Sequence, residues 1–162
     1  MRALVVFYSK SGTTEKVAED VAEELRRFVH VDVEEIQVDR YDPFLIGTFR
    51  ALKDGVSKDE IPLVGLRYDP KKYEFVVVGS PVWGGTCPPP IRSYLSGVDL
   101  WKKVAFYTTQ AGTPTDDVVQ DMSEICNKEP SSVMKLKKSH VKKELHIRDV
   151  EHFVRKLLGM EN

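Results

Sequence analysis

Four hydroxyl side chains surround one glycine and one lysine in a short segment near the start of the chain. The segment consists of Ser9, Lys10, Ser11, Gly12, Thr13 and Thr14. It follows an apolar run over residues 3–8 and precedes an amphipathic pattern, so it is predicted to join a buried strand to a helix. Hydroxyl groups, backbone N–H groups and the positive end of a helix dipole all favour anions. The segment therefore predicts a site for a phosphate or another anion.

The same segment also fits a simpler structural role. Thr13 or Thr14 could cap the N-terminus of the following helix, with the serines exposed to solvent. The segment is not a Walker A loop and not a dinucleotide fingerprint, because G-x-x-x-x-G-K-[ST] and G-x-G-x-x-G are both absent. On these residues alone, anion binding and plain helix capping both remain open.

Two later loops carry residues that are unusual for simple connections. The apolar run 74–80 is followed by Pro81, Val82, Trp83, Gly84 and Gly85, and then by the prolines at 88–90. The run 103–108 is followed by Thr109, Gln110, Ala111 and Gly112. Prolines stiffen a loop, glycines allow close backbone approach, and a tryptophan offers a flat apolar face. Together with the hydroxyl-rich segment, these loops predict a site for a planar heterocycle that carries a phosphate.

Strand-like apolar runs alternate with helical patterns along the whole chain. The predicted strands cover residues 2–8, 31–38, 74–80, 103–108 and 133–141. Helical patterns follow each of them, namely a first helix with an apolar stripe from Val17 to Val29 that includes Phe28, then 43–54, 89–96, 115–127 and a last helix ended by Gly159. This alternation predicts an α/β fold, a three-layer sandwich of a five-stranded parallel sheet with helices on both faces.

The predicted sheet determines where a ligand should bind. Open parallel sheets bind ligands at the carboxyl ends of their strands, where the strand order reverses. The loops after the first, third and fourth predicted strands are therefore expected to form the site. The second and fifth predicted strands are more polar and are expected at the edges of the sheet.

The fifth predicted strand and the residues after it are rich in lysine. Lys135, Lys137 and Lys138 fall within that strand, and Lys142 and Lys143 follow it. Lysines on an edge strand prevent pairing with the sheet of another molecule. A docking patch for an acidic partner is the alternative interpretation.

Size and composition are those of a globular protein, with one domain predicted over residues 1–162. The net charge of −1 provides no field that would attract nucleic acid, and no apolar run approaches the roughly 18 residues of a membrane helix. The N-terminus lacks the pattern of a secretory leader. Cys87 and Cys126 are predicted to be reduced thiols, which favours a cytoplasmic location.

Other site chemistries find little support in the sequence. A phosphate loop of the C-x5-R kind starting at Cys87 would need arginine at position 93, where serine stands. Prolines at 88–90 would also remove N–H donors that such a loop requires. A response-regulator receiver needs acidic residues after the first and third strands, and none is present there. The histidines and cysteines show no spacing typical of a metal site.

Three motifs in order along the chain resemble those of flavodoxin-like FMN proteins. They are Y-S-x-S-G-T-T at 8–14, V-V-G-S-P-V-W-G-G at 77–85 with P-P-I-R-x-Y-L at 89–95, and T-T-Q-A-G at 108–112. The combination covers nearly the whole chain and is more specific than any one motif. The resemblance implies the strand order 2-1-3-4-5 with FMN at the switch point, the arrangement for which flavodoxin is the standard example.

The resemblance also implies roles for particular residues. The ribityl phosphate of FMN would be bound by Ser9, Ser11, Gly12, Thr13 and Thr14, with Lys10 adding positive charge. The isoalloxazine ring would lie along Pro81, Val82, Trp83, Gly84 and Gly85. Its other side would be bordered by Thr109, Gln110 and Gly112. No side chain is expected to act as a catalytic acid or base, because the flavin carries the chemistry.

Two departures from the family pattern bear on function. Electron-carrying flavodoxins are usually strongly acidic, and they commonly stack the flavin between two aromatic side chains. This chain is nearly neutral, and residues 108–115 contain no aromatic.

Three functions are considered. The first hypothesis is an FMN-binding protein in electron transfer with a redox partner protein or a small acceptor. The second is an NAD(P)H-dependent quinone or flavin reductase, since an open flavin face admits a second planar molecule. A cofactor-free binding module is the third, and Trp83 could pack in a homodimer interface.

Overall fold

Five parallel strands form one sheet in the computed structural model, which describes residues 1–38, 61, 63–98, 102–112, 114 and 116–160. The strands are β1 (Arg2–Phe7), β2 (His30–Glu35), β3 (Phe75–Pro81), β4 (Lys103–Gln110) and β5 (Ser132–Lys137). Their order across the sheet is β2-β1-β3-β4-β5. This confirms the predicted order 2-1-3-4-5, with the more polar strands at the edges.

Five α-helices lie in the described part of the chain. They are α1 (Thr13–Arg26), α2 (Pro89–Gly97), α3 (Asp117–Cys126), α4 (Lys138–Lys142) and α5 (Ile147–Leu158). Proline occupies the first turn of α2, where its missing N–H costs no hydrogen bond. Gly159 ends α5 with a left-handed φ of 70°, as predicted.

The helices cover both faces of the sheet and bury its central strands. On one face α1, α4 and α5 pack on alternate strand residues, among them Val5, Val77 and Ala105. On the other face α2 and α3 pack on the intervening residues, among them Val6, Val78 and Phe106. Because β1, β3 and β4 are apolar on both faces, they form the middle layer of a three-layer sandwich.

Two predictions about local structure are wrong. The fifth strand ends at Lys137 rather than at residue 141, and Lys138 begins the short helix α4. Phe28 does not extend the apolar stripe of the first helix, because α1 ends at Arg26 and Phe28 is exposed. The predicted helix at 43–54 lies outside the described residues.

The strand register brings the carboxyl ends of neighbouring strands together. Phe7 pairs with Gly79, Pro81 with Thr109, and Gln110 with Lys137. The connections after β1, β3, β4 and β5 therefore all leave the sheet at the end formed by the carboxyl termini of the strands. This is the end at which a ligand is predicted to bind.

Candidate functional site

The connection between β1 and α1 presents an open helix N-terminus. Gly12 is the residue before the first turn of α1, with a left-handed φ of 86°, and no side chain caps this end of the helix. The Ser9 hydroxyl accepts a hydrogen bond from the Gly12 N–H at 3.0 Å, which shapes the turn from within. The alternative that Thr13 or Thr14 caps the helix is therefore wrong. The first-turn N–H groups are available to an external acceptor such as an anion.

Thr14 connects the start of α1 to β4 instead of capping its own helix. Thr14 and Thr109 are 2% and 4% exposed, and their hydroxyl oxygens lie 2.8 Å apart. The Tyr107 hydroxyl donates to the Thr14 carbonyl at 2.8 Å. The Tyr107 ring reaches α1 across Gly79, where a Cβ atom would overlap it. Burial raises the pKa of Tyr107 well above its usual value, so its hydroxyl remains a donor at neutral pH.

The loop after β3 forms a tight turn over the same edge of the sheet. The Val82 N–H donates to the Thr109 carbonyl at 3.1 Å, which joins this loop to the end of β4. Trp83 and Thr86 exchange two backbone hydrogen bonds of 3.1 and 3.0 Å. The residues between them, Gly84 and Gly85, have φ values of 56° and 77°. Positive φ at both central positions is typical of a type I′ turn, which glycine adopts without strain.

Trp83 provides the aromatic surface at this edge. Its ring packs edge-on against Tyr8, with ring centres 5.5 Å apart and an interplanar angle of 82°. Trp83 also packs against the buried Ile61, as do Val38 and Leu63. The tryptophan remains partly exposed, so one part of the ring is available to a ligand.

A partly buried charge network holds the base of the turn. The Asp121 carboxylate on α3 accepts hydrogen bonds from Thr86 Oγ1 at 2.5 Å and from Arg92 Nη2 at 2.6 Å. It also accepts a weaker one from the Cys87 N–H at 3.3 Å. Burial raises the pKa of Asp121, but the hydrogen bonds from Arg92 and Thr86 outweigh that effect and leave it below its usual value. Asp121 and Arg92 therefore position the turn, a role that the sequence analysis did not predict.

The three loops and α4 enclose a small hollow, here called the sheet-end hollow. Its volume is about 140 Å³, and its lining residues are Lys10, Ser11, Thr13, Thr14, Pro81, Val82, Trp83, Thr109, Gln110, Ala111 and Lys138. All of these residues except Ala111 and Lys138 were predicted from the sequence as site residues. Pockets that enclose drug-sized ligands measure about 300–1,000 Å³, so the hollow would hold only part of such a ligand.

Some predicted site residues do not line the hollow. Ser9 and Gly12 shape the first loop, and Gly84 and Gly85 form the exposed tip of the second. Gly112 is exposed beyond the hollow, with open space around its Cα. Lys138 was assigned by the sequence to an edge strand, yet its Nζ donates to Ser11 Oγ at 3.3 Å.

Larger hollows lie elsewhere and contain none of the predicted site residues. One of about 650 Å³ runs along α3 beside Gln120, Asn127 and Val133. Another of about 570 Å³ lies beside Leu63, Tyr94 and Val98. Neither brings an open helix N-terminus and an aromatic side chain together, so volume alone does not locate the site.

The geometry around Cys87 does not fit a phosphatase. Burial raises the pKa of the Cys87 thiol to about 12, which leaves it protonated at neutral pH. The Arg92 guanidinium is bound to Asp121 and does not face an open loop. Among the described residues, no three histidine, cysteine or acidic side chains are grouped as metal ligands would be. In the same part of the chain, no helix has the length and apolar character of a membrane span.

The parallel strand order β2-β1-β3-β4-β5, with helices on both faces and loops that meet where the order reverses, defines the class of doubly wound α/β proteins. A family model described as flavodoxin matches residues 2–156, so the chain belongs to the flavodoxin family. No curated protein matches the chain.

Solved structures share this fold over most of their length. A flavoprotein from Lactobacillus acidophilus NCFM, solved in complex with FMN, is 26% identical, with 88% of this chain and 97% of that chain covered and a TM-score of 0.64. Oxidised flavodoxin 2 from Bacillus cereus is 18% identical, with 99% and 100% covered and a TM-score of 0.67. A putative flavoprotein from Bacteroides uniformis is 20% identical, with 89% and 97% covered and a TM-score of 0.66.

Proposed function

We propose that this protein binds FMN at the sheet-end hollow and takes part in electron transfer. The observation that carries the proposal is the uncapped N-terminus of α1, which opens beside hydroxyl groups and an aromatic ring. The donor set fits a phosphate ester attached to a planar ring system. Membership of the flavodoxin family and the FMN complex of the Lactobacillus acidophilus flavoprotein support the same cofactor.

The phosphate of FMN would lie at the first loop. Backbone N–H groups at the start of α1 and the hydroxyls of Ser11 and Thr13 would donate to its oxygens. Ser9 and Gly12 would hold the turn, and Lys10 would add positive charge. Thr14 would act indirectly, because its hydroxyl is bonded to Thr109 and fixes the first turn of α1 against β4.

The flavin ring would lie along the other two loops. Pro81, Val82 and Trp83 would border one side, with the backbone of Gly84 and Gly85 beside the ring edge. Thr109, Gln110 and Gly112 would border the other side. When bound, FMN supplies the redox chemistry, and the protein binds, orients and partly shields it. No side chain is required as a proton donor or acceptor in this account.

A substitution that repels phosphate without weakening the helix tests the proposal. Thr13→Asp places a carboxylate at the first position of α1, where the helix dipole stabilises a negative charge. The folded protein is therefore expected to be retained, while FMN affinity falls more than about tenfold because like charges repel. The matched control is Ser131→Asp, an exposed serine just before β5 at the opposite end of the sheet.

The measurement is the visible spectrum of each protein after incubation with FMN and desalting. Wild type and Ser131→Asp should retain the bands of oxidised flavin, and Thr13→Asp should lose them. A wild-type protein that stays colourless would overturn the proposal and favour the cofactor-free binding module. If Thr13→Asp retains as much flavin as wild type, the phosphate does not bind at the start of α1.

A reductase that uses NAD(P)H and a quinone or flavin is the second candidate. Trp83 is the one aromatic side chain that lines the hollow among the described residues, and the described part of the loop after β4 has none. A flavin with one uncovered face would accept nicotinamide or quinone rings in turn. Steady turnover of NADPH with menadione by the flavin-loaded protein would favour this candidate, and its absence would favour an electron carrier.

The partner and the location belong to the same proposal. The redox partner would be another protein or a small electron acceptor, and no nucleic acid role is proposed. Both Cys87 and Cys126 are free thiols, which supports a reducing compartment such as the cytoplasm. A homodimer through the partly exposed Trp83 would be detected by the mass of the flavin-loaded protein in solution.

A further inference from the structure

We infer that Lys138 makes this site selective for the phosphorylated flavin, by placing an ammonium group beside the phosphate loop from outside that loop. The inference rests on the proposed FMN binding and adds to it a residue distant in sequence. Its consequence is a specificity: Lys138 should strengthen the binding of FMN but not of riboflavin, which has the same ring system without the phosphate.

Lys138 lies beside the phosphate loop, although it is distant from that loop in sequence. β5 ends at Lys137, and the turn into α4 directs the side chain of Lys138 towards the loop after β1. Its Nζ donates to Ser11 Oγ at 3.3 Å. Lys138 lines the sheet-end hollow together with Thr13 and Thr14 at the start of α1. The ammonium group and the open helix N-terminus therefore face the same space.

The charge of Lys138 is also free to act on a ligand in the hollow. An ammonium group has three donors, so the bond to Ser11 leaves two for a ligand. Among the described residues, no carboxylate lies within ion-pair distance of Lys138 Nζ, although Lys135 is paired with Asp116 nearby. Lys10 lines the same hollow. A phosphate monoester near neutral pH carries close to two negative charges, and two adjacent lysines match that charge.

The sequence around Lys138 extends this positive charge. Residues 130–143 contain five lysines, at 135, 137, 138, 142 and 143, and no acidic residue. Within this group, Lys138 is the member that lines the hollow, while Lys142 and Lys143 are exposed on and after α4. The segment therefore offers both the test residue and a matched control with the same charge.

The experiment compares FMN and riboflavin binding to the full-length apoprotein by quenching of flavin fluorescence. Lys138→Gln should weaken FMN binding about tenfold, the size expected for one hydrogen bond to a charged group, while riboflavin affinity stays the same. Lys138→Arg should restore most of the FMN affinity. Lys143→Gln, with the same change in net charge, should leave both affinities within about twofold of wild type.

Each outcome has a distinct meaning. An equal loss of FMN and riboflavin affinity in Lys138→Gln would show that the lysine only supports the loop, and the inference would be wrong. Equal losses of FMN affinity in Lys138→Gln and Lys143→Gln would show that the effect comes from long-range charge. That result would also overturn the inference. If wild type binds neither flavin, the proposed function fails, whereas normal FMN binding by Lys138→Gln removes this inference alone.

Competition by inorganic phosphate and the pH profile provide a second measurement. With FMN held well below its dissociation constant for both proteins, inorganic phosphate should displace half of the bound FMN from wild type at a lower concentration than from Lys138→Gln. The affinity difference between the two proteins should narrow as pH falls below about 6, where a phosphate monoester loses its second charge. A difference that is constant between neutral and acidic pH would contradict a direct lysine–phosphate contact.

Discussion

Asp121 is the charged residue on which the turn at the sheet end most depends. Its side chain is 15% exposed and pairs with Arg92, which is 10% exposed, and the same carboxylate receives the Thr86 hydroxyl. Removing one member of a mostly buried pair leaves the other charge without a partner, which costs more than the pair contributes. The turn that carries Gly84 and Gly85 is thus fixed by a side chain on another helix.

Asp121→Asn is expected to lower the free energy of unfolding by about 2 kcal/mol at neutral pH, because solvent reaches part of the pair and reduces the full cost of a buried charge. The pKa of Asp121 is depressed in the folded state, so its contribution is present above the unfolded value of about 3.9 and is lost as pH falls through the folded value. Urea unfolding of wild type and variant should therefore converge below about pH 4.

The control for this change is Asp117→Asn. Asp117 is an exposed acidic residue in the first turn of the same helix, and its loss should cost no more than about 0.5 kcal/mol. If both variants are equally stable, the network does not hold the turn.

A second prediction concerns the hydroxyl pair that joins α1 to β4. Thr109→Val removes one hydroxyl and leaves the buried Thr14 hydroxyl without its partner, which should cost about 1–2 kcal/mol. Thr109→Ser retains the hydroxyl and should cost less. In a double-mutant cycle with Thr14→Val, the two losses should be clearly less than additive. Additive losses would mean that the two hydroxyls do not interact.

At the scale of elements, the hydrophobic pattern was sufficient to predict the strands of the sheet. It was insufficient to predict where the last strand, β5, ends. The apolar runs of β1, β3 and β4 predicted strands buried on both faces, and the alternation with helices predicted a parallel sheet. In β5, Met134 and Leu136 alternate towards the core, and the next inward position is Lys138. A lysine there signals the end of the strand, which the predicted run over residues 133–141 passed over.

The candidate site was predictable where it depends on local sequence. The three loops were placed correctly because loops follow strands, and the carboxyl ends of parallel strands meet. Lys138 and Ser11 are 127 positions apart in sequence, so only the tertiary fold brings them together. Asp121 did leave a signal, since it interrupts the apolar face formed by Val118, Met122 and Ile125 on α3.

Gly85→Ala tests whether the turn after β3 requires glycine. No atom lies within 4 Å of a Cβ added at this position, so the cost comes from the left-handed backbone alone, about 1–2 kcal/mol. Gly112→Ala is the control, because that residue also has open space but no left-handed φ. Its stability should stay within about 0.5 kcal/mol of wild type. Thermal unfolding of both proteins would show whether the two glycines differ as expected.

At the scale of the whole molecule, cofactor binding and folding should be coupled. The hollow is assembled from loops that leave separate strands, so an unfolded chain does not retain it. A ligand at 100 times its dissociation constant adds about 2.7 kcal/mol to stability, which for a chain of this size raises Tm by about 5–10 °C. Calorimetry with FMN, with riboflavin as control, would measure this shift, and an unchanged Tm with FMN would contradict binding to the folded state.

Tyr107 can hold its large ring in place only because Gly79 has no side chain. The ring of Tyr107 occupies the space above Gly79, and its hydroxyl binds the backbone of Thr14. A lineage that gained a side chain at position 79 would have to lose the large ring at position 107, and the start of α1 would lose one of its two bonds to β4. The two positions should therefore covary among relatives, although neither residue lines the hollow.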